Sequence, residues 1–190
     1  MTGPPRHGGG LPAEGPVGHL VLVGLPGAGK STVGPLVAAA LGRPFLDFDV
    51  ELATRGGQPV ATLFRTHGER GFRNLEISLT HALAHAPPMV LAPGGGWITN
   101  PGVVARLRPP GVLVYLHLRP DAALARVRTD PVVRPLLQGS DPAARLATLW
   151  EQRHPLYATA DLVLDVENLS PQEVAESVVA LARDHALGVG

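Results

Sequence analysis

The sequence holds a single lysine among 16 basic residues, at position 30 of Gly24-Leu-Pro-Gly-Ala-Gly-Lys-Ser-Thr32. The segment matches G-x-x-x-x-G-K-[ST] in full. Its glycines permit a turn whose backbone N–H groups face inward and surround phosphate oxygens. A helix that follows aims its positive end at the same place. Lys30 can then reach the β and γ phosphates, and the Ser31 hydroxyl can ligate Mg²⁺. The reading is ATP with Mg²⁺, held over Gly27, Ala28, Gly29, Lys30, Ser31 and Thr32. An ordinary glycine-rich turn would leave the placement of the only lysine unexplained. The Asn-Lys-x-Asp element that reads guanine needs a second lysine, which the chain lacks.

Five other groupings could do chemistry. Asp47 and Asp49 are two apart after an apolar run, so on a strand they share a face. One could serve a metal through water and the other an acceptor hydroxyl, or both could be solvated strand-end carboxylates. Arg73 and Glu76 are three apart and share a helix face, which by spacing alone is a structural ion pair. Gly94, Gly95 and Gly96 form a tight loop or a place where a ligand approaches backbone. Arg134 lies in a polar stretch, 129–140, whose Pro131 and Pro135 break any helix; its length without regular pattern suggests a lid. Arg153 is a helix-end cation. His81 and His85 share a helix face at a spacing zinc sites use, but no cysteine or third histidine completes a site, so a solvated face is expected. His117 and His154 read as structural.

The elements that must position these residues follow from periodicity. Apolar runs at 19–23, 43–49, 89–91, 112–118 and 162–166 read as strands. Helices are expected at 30–41, 50–55, 60–66, 69–86, 100–107, 120–128, 141–158 and 170–186, with Pro35 distorting the first. Alternation of this kind predicts an α/β fold: a five-stranded parallel sheet with helices on both faces and functional loops at the strands' carboxyl ends. Residues 1–18 include ten Gly or Pro and read as a disordered tail, leaving one domain over 19–187. Balanced charge, 16 acidic against 16 basic residues, argues against nucleic acid as a partner. No apolar run is long enough to span a membrane and the start lacks a secretory pattern, so a cytoplasmic monomer is expected.

Together these motifs resemble the shikimate kinases over residues 20–186. The elements that carry the resemblance are the phosphate loop, Leu46-Asp-Phe-Asp49, Gly71-Phe-Arg-Asn-Leu-Glu76, the glycine triplet, Arg134-Pro-Leu-Leu137 and Arg153-His-Pro-Leu-Tyr157. The resemblance implies a three-layer P-loop kinase fold with substrate-binding helices over 47–76 and a lid over 129–140. It implies phosphorylation of the 3-hydroxyl of shikimate. Asp47 would join Ser31 in the metal shell, and Asp49 would bind shikimate and serve as base. Arg73 and Arg153 would clamp its carboxylate, with Glu76 orienting Arg73. Phe64 and Phe72 would form an apolar wall, and Gly95 would contact substrate through its N–H. Arg134 would meet the phosphates, and Arg126 or Arg128 would stack on adenine, with Asn168 nearby. Trp97 after the triplet departs from the small residue expected there. A kinase of another small acid such as gluconate, or a nucleotide-dependent switch, are the alternatives.

Overall fold

The computed structural model describes residues 15–129, 137 and 141–188. Within them the order is β1 (Leu20–Val23), α1 (Lys30–Leu41), β2 (Phe45–Asp47), α2 (Phe48–Gly56), α3 (Val60–Leu83) and β3 (Val90–Ala92). There follow a single 3₁₀ turn (Trp97–Thr99), α4 (Pro101–Leu107), β4 (Val112–His117), α5 (Pro120–Thr129), α6 (Pro142–Tyr157), β5 (Leu162–Asp165) and α7 (Pro171–Ala186). The five strands form one parallel sheet in the order β2-β3-β1-β4-β5, as the alternation predicted.

β1 is the centre of this sheet because all four of its residues are apolar and it has a neighbour on each side. Each of the four is at most 3 % exposed, and burial of such a side chain stabilises by about 1.5–3 kcal/mol. β2 and β3 lie on one side of β1 and β4 and β5 on the other, so the crevice at its carboxyl end is a topological switch point, where ligands bind in open α/β sheets. Register brings the ends of β1, β3 and β2 level, with Asp47 opposite Ala92. Three loops thereby open onto one edge.

Differences from the expected elements have local causes. The second strand stops at Asp47 rather than Asp49 because Asp47 caps α2: its Oδ1 accepts from the N–H of Asp49 at 2.9 Å and of Val50 at 3.3 Å. Asp49 therefore sits in the first helical turn, and the shared strand face expected for the two carboxylates does not exist. By contrast α1 has the bounds expected, Lys30–Leu41, with Pro35 inside it. Pro35 is on the exposed side, where water can take the carbonyl its missing N–H leaves. The two helices expected over 60–86 are joined end to end, with Gly68 at φ 66, ψ 177 as the break between them; a side chain there would be strained.

His19 ties the start of the sheet to what surrounds it. The Met89 N–H donates to Nδ1 at 3.1 Å, leaving Nε2 to donate to the Leu83 carbonyl at 3.0 Å. The residue is 6 % exposed, so water cannot replace either bond. Replacing it with phenylalanine should lower unfolding free energy by about 1–3 kcal/mol. Urea denaturation should show the midpoint falling with the slope unchanged.

Candidate active site

The loop between β1 and α1 closes on itself through the lysine. Gly29 at φ 92 is the N-cap of α1, a left-handed position that glycine occupies without steric cost. It starts the helix so that Lys30 is the first helical residue. Lys30 Nζ donates to the carbonyls of Gly24 at 2.8 Å and Leu25 at 3.0 Å, which holds the ammonium over the loop. Ser31 Oγ donates to Asp47 Oδ2 at 2.5 Å. The two side chains predicted to serve a metal thus meet, although they are 16 residues apart.

A cavity of about 620 Å³ opens here. Its floor is the loop from Pro26 to Val33, one wall is Asp47, Asp49 and Val50, and another is Ala92 to Gly95. The far end is Arg126, Thr129, Leu169, Pro171 and Val174. At this end Arg126 lines the cavity and Arg128 is not part of its lining. Arg126 Nη2 donates to the carbonyls of Val166 at 2.6 Å and Glu167 at 3.1 Å, fixing the loop before α7. Asn168 is exposed and outside the lining. Its neighbours Leu169 and Pro171, with Val174, supply the apolar surface, and the sequence had given no reason to single them out as site residues. Arg134 lies outside the described residues.

Beyond Gly94 and Gly95 the site becomes a charged cluster. Arg73 Nη1 donates to Glu76 Oε2 at 2.5 Å and Nη2 to Glu69 Oε1 at 3.1 Å. Its guanidinium carbon also lies 5.8 Å from the ring centres of Phe64 and of Phe72, which pack against each other at 4.4 Å. Phe72 is buried and Phe64 half-buried. Burial alone would lower the pKa of Arg73, but the charges of Glu76 and Glu69 overcome that and raise it. Glu76 is 1 % exposed, and burial pushes its carboxyl up to about 7 despite Arg73 and Arg153.

The glycine triplet exists for these side chains. A Cβ on Gly94 would come within 2.6 Å of Glu76 Oε1, and one on Gly96 would overlap the Arg73 guanidinium. Asp49 Oδ1 stands 3.6 Å from the same Gly94 position. Tyr157 approaches from α6, its hydroxyl donating to Gly95 O at 2.5 Å; burial pushes that phenol up to about 12, so it stays a donor. Arg153, one turn earlier, is 5 % exposed, and its Nη1 is buried without a hydrogen-bond partner. Its charge acts on both Glu76 and Tyr157. Asp49, Arg73 and Arg153, from α2, α3 and α6, all act on Glu76, and of the three only Asp49 lines the cavity.

The other singled-out residues are structural. Trp97 is 2 % exposed and its Nε1 donates to Thr80 Oγ1 at 2.9 Å. Thr80 in turn donates to the Glu76 carbonyl at 2.8 Å. The unexpected indole thus packs behind the glycine loop. His81 and His85 are exposed, and among the described residues no group of three or more His, Cys, Asp or Glu could hold a metal ion. His154 accepts from or donates to Tyr115 at 3.1 Å, and His117 pairs with Asp165 at 3.0 Å.

Comparison with known proteins agrees with this geometry. The shikimate kinase family profile matches residues 26–183. A shikimate kinase of Synechococcus sp. (strain RCC307) is 41 % identical over 161 residues, covering 85 % of this chain and 82 % of the relative. One from Neisseria meningitidis serogroup C (strain 053442) is 42 % identical over 152 residues, covering 80 % and 89 %. The solved shikimate kinase of Acinetobacter baumannii, in complex with shikimate, superposes with a TM-score of 0.85 at 35 % identity, covering 90 % of this chain and 96 % of that one. The profile spans well over half of the chain and both relatives exceed 40 % identity, so this chain belongs to the shikimate kinase family.

Proposed function

We propose that the protein transfers the terminal phosphoryl group of ATP to the 3-hydroxyl of shikimate, giving shikimate 3-phosphate and ADP. The observation that carries this is Arg153: a buried guanidinium with an unpartnered Nη1 that acts, together with Arg73 and Asp49, on the Glu76 adjoining the Gly94 wall of the phosphate cavity. A buried unpaired donor is costly, and an anionic group on the acceptor would satisfy it. A carboxylate suits two guanidinium forks.

The residues divide the work as follows. The backbone N–H groups of 27–32 and the start of α1 hold the phosphates. Lys30 leaves the loop carbonyls for the β and γ phosphates. Ser31 and Asp47 are hard oxygen donors already in contact, which fits Mg²⁺. That ion would neutralise phosphate charge when bound. Arg73 and Arg153 take the shikimate carboxylate, with the segment 47–76 forming the acceptor side. Phe64 offers its half-open face to the ring. Gly95 can present its N–H because no side chain stands in the way. Asp49 Oδ1, beside Gly94, orients the acceptor hydroxyl and takes its proton. Transfer of this type is loose, so positioning and charge supply most of the acceleration. No helix among the described residues is long and apolar enough to cross a membrane, and dependence on ATP supports a cytoplasmic setting.

ADP release should require shikimate; release only with gluconate, or without any acceptor, would overturn the assignment. Lys30→Ala should abolish transfer. Asp49→Asn should lower kcat by about 10²–10⁴-fold while ATP binding, read by titration with a non-hydrolysable analogue, persists. Arg153→Ala should raise the KM for shikimate by roughly 30-fold or more, from the loss of a buried charge contact, with the KM for ATP little changed. Gly96→Ala should lower the Tm, because its Cβ overlaps an Arg73 guanidinium that is paired with buried Glu76. It should also raise the KM for shikimate by moving Arg73.

A further inference from the structure

Glu76 is a buried acid for which the transfer step has no use. Its Oε2 is occupied by Arg73, but its Oε1 is buried without a hydrogen-bond partner and faces Gly94. The titratable and charged groups around it come from three helices. Arg73 stands beside it on α3 and is shared with Glu69; Asp49 faces it from α2, and Arg153 from α6. Tyr157, also on α6, lies within the influence of both arginines. The loop after β3 contributes no ionisable side chain.

A carboxylate arriving between Arg73 and Arg153 changes this environment in three ways. It adds a negative charge close to Glu76. It draws on the two guanidinium groups that favour the ionised acid. It also displaces water. All three disfavour the charged form of Glu76. Resting on the shikimate reading, we infer that Glu76 takes up one proton from solvent as the substrate carboxylate binds, and returns it when product leaves. Protonation converts an acceptor-only group into one with an O–H to donate. The orphaned oxygen gains a hydrogen to offer the ligand, and Arg73 Nη1 is released toward the substrate. Glu76 is thus a positioning residue whose protonation is coupled to acceptor binding.

The free enzyme's Glu76 already lies near 7, raised first by burial and further by Asp49, against Arg73 and Arg153. The sign follows. Well below that value the acid is already neutral and binding takes up nothing. Above it each molecule bound must also acquire a proton, so shikimate affinity falls by up to about tenfold per pH unit until the higher, bound-state value is reached.

Calorimetric titration of the full chain with shikimate at pH 7.5, in two buffers of different ionisation enthalpy, counts the protons. Roughly half a proton or more should be taken up per shikimate, falling toward none at pH 6. Glu76→Gln should bind shikimate without proton uptake and with affinity independent of pH between about 6.5 and 8.5. Uptake that is absent in the wild type, or unchanged in Glu76→Gln, would overturn the inference. Should that variant not fold, ¹³C NMR of the wild type labelled at the glutamate carboxyls gives the same answer. One resonance should titrate near neutrality and its midpoint should rise on adding shikimate; a fixed midpoint refutes the coupling. Failure of shikimate to bind at all would instead remove the functional reading.

Discussion

The buried pair of Arg73 and Glu76 governs the acceptor side of this protein. A carboxylate that is 1 % exposed is tolerable only where a cation and well-made hydrogen bonds compensate its lost hydration. That requirement reaches outward through the sequence. Residues 94 and 96 must lack side chains, because the two charged groups fill the space a Cβ would need. The turn of α3 that carries the pair must be held from behind, which Trp97 and Thr80 do through one chain of hydrogen bonds. Gly68 breaks the helix a little more than one turn before Arg73, so the segment bearing Phe64 folds back to put a ring beside the guanidinium.

The nucleotide side depends on a different constraint, the register of three parallel strands. Since β1, β3 and β2 end level, the phosphate loop, the glycine triplet and Asp47 open onto one edge. Asp47 uses its two oxygens for separate purposes: Oδ1 caps α2 and Oδ2 receives Ser31. The cap fixes where the strand ends, and that placement turns Asp49 away from the strand and toward Gly94. The local cap therefore decides which of two neighbouring aspartates meets Ser31 and which stands beside Gly94.

Much of this was legible before any coordinates. The phosphate loop was read in full because each residue type there has its own physical reason. Strand count and sheet type followed from alternating apolar runs. The expectation about Asp47 and Asp49 failed because a period-2 reading cannot see a capping aspartate, whose signal is identical to a strand-end carboxylate until the helix is known. The far wall of the cavity was missed for a related reason: Leu169, Pro171 and Val174 look like the start of any amphipathic helix. By spacing alone Arg73 and Glu76 were a surface pair; only the depth of burial, a property of the packed whole, distinguishes them from one.

The two arginines are not equivalent, and the difference bears on selectivity. Arg73 is held by two carboxylates and two aromatic rings, so its direction is set before any ligand arrives. Arg153 is buried with an N–H that has no partner. The first is preorganised and therefore loses little freedom on binding; the second bears an unmet hydrogen bond that a ligand can relieve. An acceptor without a carboxylate would still meet Arg73 in its place but would leave Arg153 unsatisfied, and a buried polar group left unpaired is what allows a site to reject an analogue strongly. In the proposed clamp, discrimination would then rest on Arg153, whose Nη1 is one of the buried polar atoms the fold leaves unpartnered.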